Sequence, residues 1–254
     1  MNIETILTPA ELPVLSRRDL RQSACVVFDI LRATSTFVTA LHHGATAIIP
    51  VGEISEAVAL RKTLPDVLLA GERDGVRIRA AQSGGIDFDF GNSPREFTPE
   101  KVGGKTIVST TTNGTRALRA CAGGKYVLAA AFLNLTATAN YLRQLAPAEI
   151  LLVCAGTGEG MALEDALAAG AMIDLLMNDA NTHPTLSDAT QITWQFFRRS
   201  EAKLAATISD SQNGRRLLAM PELCPDVAFC AQRDIFDLVT TLEADGRLRR
   251  MERK

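Results

Sequence analysis

Residues 24–43 read ACVVFDILRATSTFVTALHH, and this stretch decides the fold. Residues 24–28 are five apolar side chains in a row, the length and composition of a strand buried on both faces. A helix is expected directly after it, over residues 33–43. A doubly buried strand feeding a helix is the repeating unit of a largely parallel sheet covered on both sides.

The same alternation recurs along the chain. Apolar runs at 46–51, 67–70, 106–109, 126–130 and 150–154 predict further strands. Helical segments are expected at 54–64, at 113–120, from 130 through 142, and over the Ala-rich residues 162–177. From Thr185 to Cys230 the pattern is mostly helical, broken at Pro221 and Pro225, and residues 235–239 predict a returning strand. The fold class that follows is α/β: a three-layer α/β/α arrangement with a mostly parallel or mixed sheet and a helical C-terminal third. No Gly-, Ser- or Pro-rich linker interrupts it, so one domain over residues 1–254 is expected.

Composition excludes several functions. With 27 basic and 29 acidic residues the formal net charge is -2, so no global field draws in nucleic acid. Arg247, Arg249 and Arg250 form a local basic cluster, read here as a solvated tail. The five cysteines are scattered and include no C-x-x-C pair, which argues against disulfides and zinc; Cys154, beside a glycine turn, is read as a core residue. The N-terminal residues lack the pattern of a signal peptide, and no apolar run reaches membrane-spanning length. A cytoplasmic protein is expected, with no membrane partner; the sequence leaves a homo-oligomer open.

Ligands of open α/β sheets bind beyond the carboxyl ends of the strands. After the first strand come Asp29, Arg32, Thr34, Ser35 and Thr36. An Asp at a strand end can hold a metal or attack phosphorus, and an Arg can fork onto an anion. The alternative is an Asp and a Thr capping a helix. After the third strand, Gly71-Glu72-Arg73-Asp74-Gly75 is either part of a site or a solvated turn. Asn92-Ser93-Pro94 is helix-start chemistry. Ser109-Thr110-Thr111-Thr112-Asn113-Gly114-Thr115-Arg116 crowds hydroxyls, an amide and a guanidinium between a strand and a helix, as an oxyanion cradle requires. Gly156-Thr157-Gly158 resembles a phosphate loop without the dinucleotide spacing, and Glu164 and Asp165 follow in a helical first turn, as Mg²⁺ ligands or as dipole partners. Gly104-Lys105-Thr106 lacks both the first glycine and the following helix of a nucleotide phosphate loop, so ATP and GTP are not expected. Only three histidines occur, none at metal-binding or triad spacing; hard oxygen ligands remain, and these favour Mg²⁺ over zinc.

These blocks, in this order, resemble the 2-phosphosulfolactate phosphatase family: Asp29-x-x-Arg32-Ala33-Thr34-Ser35-Thr36, Gly71-Glu72-Arg73, Gly91-Asn92-Ser93-Pro94, Thr110 to Thr115, and Cys154-Ala155-Gly156. Ser211-x-Asn213-Gly214 and Asp226-x-x-x-Cys230 also fit. Residues 74–90 depart from the pattern in length and basic character. The resemblance implies a Mg²⁺-dependent phosphatase that converts 2-phosphosulfolactate to 3-sulfolactate and phosphate, on the route to coenzyme M. It implies a small phosphorylated, sulfonated acid as partner. Asp29, Arg32 and Asn113 are the expected catalytic groups, with Mg²⁺ on Asp29 and Glu72 or Glu164. Thr34, Ser35, Arg73, Asn92, Ser93, Thr111, Thr112, Thr115, Arg116, Gly156 and Thr157 are the expected substrate contacts. Hydrolysis of another small phospho-acid, or anion binding without catalysis, are the alternatives.

Overall fold

A computed structural model describes residues 1–178 and 183–251. Among these, eleven strands form one mixed sheet: β1 (Asn2–Ile6), β2 (Ser23–Phe28), β3 (Ala47–Pro50), β4 (Leu68–Arg73), β5 (Val76–Arg77), β6 (Thr106–Thr110), β7 (Tyr126–Ala130), β8 (Glu149–Cys154), β9 (Thr185–Leu186), β10 (Thr240–Leu242) and β11 (Leu248–Arg250). Their order is β5-β4-β6-β3-β11-β10-β7-β2-β8-β1-β9. The architecture is α/β with helices on the sheet's faces, as the alternating pattern predicts.

The sheet has two parallel blocks, β1, β8, β2 and β7 on one side and β3, β6 and β4 on the other. β2 lies between β7 and β8 and is buried at every position, which is why its apolar run is unbroken. The antiparallel pair β10–β11 joins the blocks, pairing with β7 on one side and β3 on the other. Followed along the ladder, the two blocks therefore run in opposite senses. The carboxyl ends of β2 and β8 in one block and of β4 and β6 in the other nevertheless border one cleft.

The helix Ala33–His42 packs against β7, β11 and β3, spanning the two blocks. All its residues but His42 are buried. Burying Phe37, Val38 and Leu41 there contributes about 1.5–3 kcal/mol each, and this anchors the segment that carries Asp29 and Arg32.

Three expectations are corrected. Residues 235–239 are not a ladder strand: Phe236 N–H donates to Leu133 O at 2.9 Å, and pairing begins only at Thr240. Arg247, Arg249 and Arg250 are not a loose tail, because β11 sits inside the sheet and Arg249 pairs with Asp245 at 2.7 Å. β4 continues through Arg73, so Gly71–Gly75 is the last rung of a strand and the tip of a hairpin, with Glu72 paired to Arg77. The short N-terminal strand β1, absent from the sequence expectation, pairs in parallel with β8.

Candidate active site

Four strand ends build the floor. Asp29 follows β2, and its Oδ1 accepts from the Ala33 N–H at 3.0 Å, so the first helical turn fixes the carboxyl group. Gly114 permits the approach of the next loop: a Cβ there would lie 2.5 Å from Asp29 Oδ2 and 2.6 Å from Ala33 Cβ. Gly114→Ala is therefore expected to displace the Asp29 carboxylate and lower kcat by about 100-fold. Steady-state kinetics beside a circular-dichroism melt checks this, the fold being retained.

Asn113, after β6, donates through Nδ2 to Ala155 O at 2.8 Å and to Gly158 O at 2.9 Å, joining the two blocks of the sheet. Glu72 accepts from Gly75 N–H at 2.7 Å, Thr112 N–H at 2.9 Å and Thr112 Oγ1 at 3.0 Å. Asp165 takes the Ile30 N–H at 2.8 Å and the Gly156 N–H at 3.0 Å, tying the end of β2 to that of β8. Gly156 has φ +72° and room for nothing larger, since a Cβ would meet Gly160 O at 2.4 Å. Arg32 donates to Asp226 Oδ2 at 2.8 Å and to Gly75 O at 2.7 Å, and Ser93 Oγ donates to Asp226 Oδ1 at 2.7 Å.

These loops enclose a cleft of about 300 Å³. Asp29, Arg32, Glu72, Asn92, Thr112, Asn113, Gly156 and Thr157 all line it, with Asp74, Gln212, Asn213 and Arg216. Residues scattered over the sequence from 29 to 157 are thus brought together. A second depression of about 540 Å³ lies at the amino ends of β4 and β6, between residues 63–67, 104–106 and Arg247. Among the described residues its one carboxylate is Asp66 and it contains no buried polar side chain, so the smaller cleft is the candidate site.

Several expected contacts lie elsewhere. Thr34 Oγ1 donates to Asp29 O at 3.0 Å, Ser35 Oγ to Ile30 O at 2.8 Å, and Thr115 Oγ1 to Thr111 O at 3.0 Å, all buried. Thr111 Oγ1 accepts from Thr115 N–H at 3.2 Å. Hydroxyls at helix starts find their own backbone before they find a ligand. Arg73 is held by Thr110 Oγ1 at 3.1 Å and Glu72 O at 2.7 Å, and Arg116 forms an exposed pair with Glu159 at 3.0 Å. Neither lines the cleft, and Ser93 lies beneath it against Asp226. The glycine loop is not an open cradle at Gly156 and Thr157, whose N–H groups go to Asp165 and to Gly160 O at 2.9 Å.

Asn213, Gln212 and Arg216 are contributed by the helix Gln212–Leu218, far along the chain, and received no role from the sequence. The only signal was the Ser211-x-Asn213-Gly214 block. Asn213 Nδ2 reaches Glu164 Oε1 at 2.7 Å and Thr157 Oγ1 at 2.6 Å.

Acid is in excess at the floor. Burial, then the charges of Glu72 and Glu164, push Asp29 from 3.8 up to about 7, against the opposing pull of the Ala33 N–H and the Arg32 guanidinium. Burial, then Asp29 and Glu164, push Asp165 well above the usual carboxylate range. Glu164 Oε2 is buried without a hydrogen-bond partner. Among the described residues no three His, Cys, Asp or Glu side chains are gathered into a metal cage, and both oxygens of Glu72 are already engaged. Of the two partners expected for Asp29, Glu72 is thus engaged by backbone and Thr112, and Glu164 is the one with a free oxygen. Mg²⁺ needs less, since one or two carboxylates suffice when water and substrate phosphate complete the shell. The orphaned Glu164 oxygen and the under-compensated Asp29 fit that smaller requirement.

Fold and site together define an α/β enzyme that acts on small anions. More particularly, the chain is a phosphoric monoester hydrolase and belongs to the 2-phosphosulpholactate phosphatase family, which matches it over residues 8–245. A probable 2-phosphosulfolactate phosphatase of Thermotoga petrophila is 41% identical over 217 residues, covering 85% of this chain and 88% of that protein. One of Caldanaerobacter subterraneus is 37% identical over 231 residues, covering 90% and 91%. One of Synechococcus sp. is 34% identical over 259 residues, covering 98% and 99%. No helix among the described residues is long and apolar enough to cross a membrane.

Proposed function

We propose that this protein hydrolyses 2-phosphosulfolactate to 3-sulfolactate and phosphate, and that it requires Mg²⁺. The observation that carries this is the buried charge at the cleft: Asp29 in its floor without a matching cation, Glu164 outside the lining but close enough for its charge to act on Asp29 and with one oxygen unpartnered, and a buried guanidinium. Asp29 and Glu164 would hold the ion, which when bound supplies positive charge to the phosphoryl oxygens. Arg32 lies at the same floor with N–H groups beyond those spent on Asp226 and Gly75, and orients the phosphoryl group. The Asn92 side chain, buried and lining the cleft, adds a neutral donor. Glu72, Thr112 and Asn113 hold the loops in register and keep the floor rigid. A cleft of about 300 Å³ has room for a three-carbon phospho-acid.

The test is phosphate release from 2-phosphosulfolactate. Activity should fall at least about 20-fold in excess EDTA and return with Mg²⁺. Unchanged turnover in chelator rules out the metal requirement, and absence of turnover with Mg²⁺ rules out the substrate. Acid quench during turnover of ³²P-labelled substrate separates two routes. Because Asp29 is assigned to the cation, water is the expected attacking group and no label should remain on the protein; trapped label would make Asp29 the nucleophile.

A further inference from the structure

We infer that Arg216 is the residue that selects for a second acid group on the substrate, by pairing with the carboxylate or sulfonate that is not transferred. This rests on the phosphatase function proposed above. Other arginines around the cleft are already engaged. Arg32 is bonded to Asp226, Arg116 to Glu159, and Arg77 to Glu96 at 2.6 Å; Arg95 lies 3.6 Å from Asp226, and Arg73 is held by Thr110 and a carbonyl. Among the described residues Arg216 lines the cleft and has no carboxylate partner.

Its position suits the tail of a substrate and not the phosphoryl end. Asp29, Arg32 and Asn113 are buried at the floor, whereas Arg216 and Gln212 are exposed at the rim. The Arg216 guanidinium lies over the hairpin tip, its Nη2 3.5 Å from where a Cβ on Gly75 would be. The carbonyl of that same glycine is held by Arg32 at 2.7 Å. Two guanidinium groups therefore meet at Gly75, one deep and neutralised, the other shallow and without a carboxylate partner. A molecule with its phosphoryl group at the deep end and a further acid on the adjoining carbons would meet both.

The guanidinium is also well supported for recognition. Ser211 caps its helix by accepting the Gly214 N–H at 3.0 Å. Gly214 packs so closely that a Cβ would lie 2.1 Å from Ile208 O, and Asn213 is pinned to Glu164 and Thr157. Arg216 thus projects from a helix locked onto the site, and its fork can take a planar carboxylate or a sulfonate with two N–H groups.

The test compares Arg216→Gln and Arg216→Lys with the wild type on three phosphate monoesters. These are 2-phosphosulfolactate, 2-phospholactate and isopropyl phosphate, which carry two, one and no further acid groups. Arg216→Gln is expected to lower kcat/KM for 2-phosphosulfolactate roughly 30- to 100-fold, mainly through KM. For isopropyl phosphate the change should stay within about 3-fold. Arg216→Lys should recover part of the loss. Equal losses on all three esters, or no loss on any, overturn the inference. Titration of 3-sulfolactate into wild type and Arg216→Gln gives a readout that needs no turnover: weakening of roughly 30-fold is expected, and equal affinity overturns the assignment. If the wild type hydrolyses none of the three esters, the proposed reaction fails, and the titration alone decides the role of Arg216.

Discussion

Replacing Asp29 by Asn is expected to remove activity and, at the same time, to stabilise the metal-free protein. Asn keeps the shape of the side chain, and its Oδ1 can still accept the Ala33 N–H. What is lost is a negative charge that burial makes costly. For activity this charge is needed, because Asp29 is one of two groups assigned to the cation. A loss of about 10³-fold in kcat is expected, equivalent to roughly 4 kcal/mol of transition-state stabilisation.

For stability the sign follows from the two protonation equilibria. In the unfolded chain the carboxyl titrates near 3.8, and in the fold near 7. Below pH 4 both states hold the proton and no penalty exists. As pH rises from about 4 to about 7 the unfolded chain releases its proton first, so the folded state loses relative stability, and above 7 the full cost stands. That interval corresponds to a ceiling of about 4 kcal/mol. Scanning fluorimetry without metal should show Asp29→Asn melting about 5–10 °C above the wild type at pH 8, the gap closing toward pH 4. Added Mg²⁺ should raise the melting temperature of the wild type at pH 8 and not that of the variant. A wild type that melts with or above Asp29→Asn at pH 8 would mean that the carboxylate is already compensated, and would remove the reason for placing a cation there.

The parts of this molecule legible in the sequence are those whose physics is local. The run 24–28 is apolar at every position because β2 has neighbours on both edges and helices on both faces, and the run 150–154 is apolar for the same reason, whereas 106–109 is apolar only at Ile107 and Val108. The β10–β11 pair was invisible because three-residue strands carry no periodicity. Leu248 is the one fully buried side chain of β11, and its arginines look like a solvated tail until Glu243 and Asp245 are seen beside them. That pair also sets the relative sense of the two parallel blocks, which no strand-by-strand pattern reveals.

At the site, the kinds of residue at strand ends were readable and their partners were not. Asp29, Arg32, Asn113 and Gly156 follow strands, Glu72 ends one, and all share one cleft. Thr34, Ser35 and Thr115 follow strands too, yet their hydroxyls close backbone carbonyls within five residues. A polar side chain next to a helix start satisfies either description in sequence, and only the fold decides which. Asn213 and Asp226, present only as blocks of the family pattern, received no role, and Arg216 escaped altogether, for the opposite reason: they belong to short helices whose own sequences say nothing of the strand ends they cover.

Asp226→Ala is expected to be the most destabilising single change at the site. Asp226 is fully buried, and it holds Arg32, itself 3% exposed, together with Ser93. Truncation leaves a guanidinium in the interior with one carbonyl for company, at a cost of about 3–5 kcal/mol. For a chain of this length that is a fall of about 10 °C in melting temperature, measurable by calorimetry. The ion pair is nevertheless poor evidence of selection for stability, since two buried charges surrender hydration that their mutual attraction barely restores. The double variant Arg32→Met with Asp226→Leu separates the two explanations. If the pair serves the reaction, the double variant should regain most of the lost stability, through apolar packing beside Cys230 and Val227, and still release no phosphate. If the pair serves the fold, the double variant should melt as low as Asp226→Ala. The first outcome is expected, because among the described residues the neutralised Arg32 is the one guanidinium that reaches the floor of the cleft beside Asp29, and Asp226 is what keeps it there.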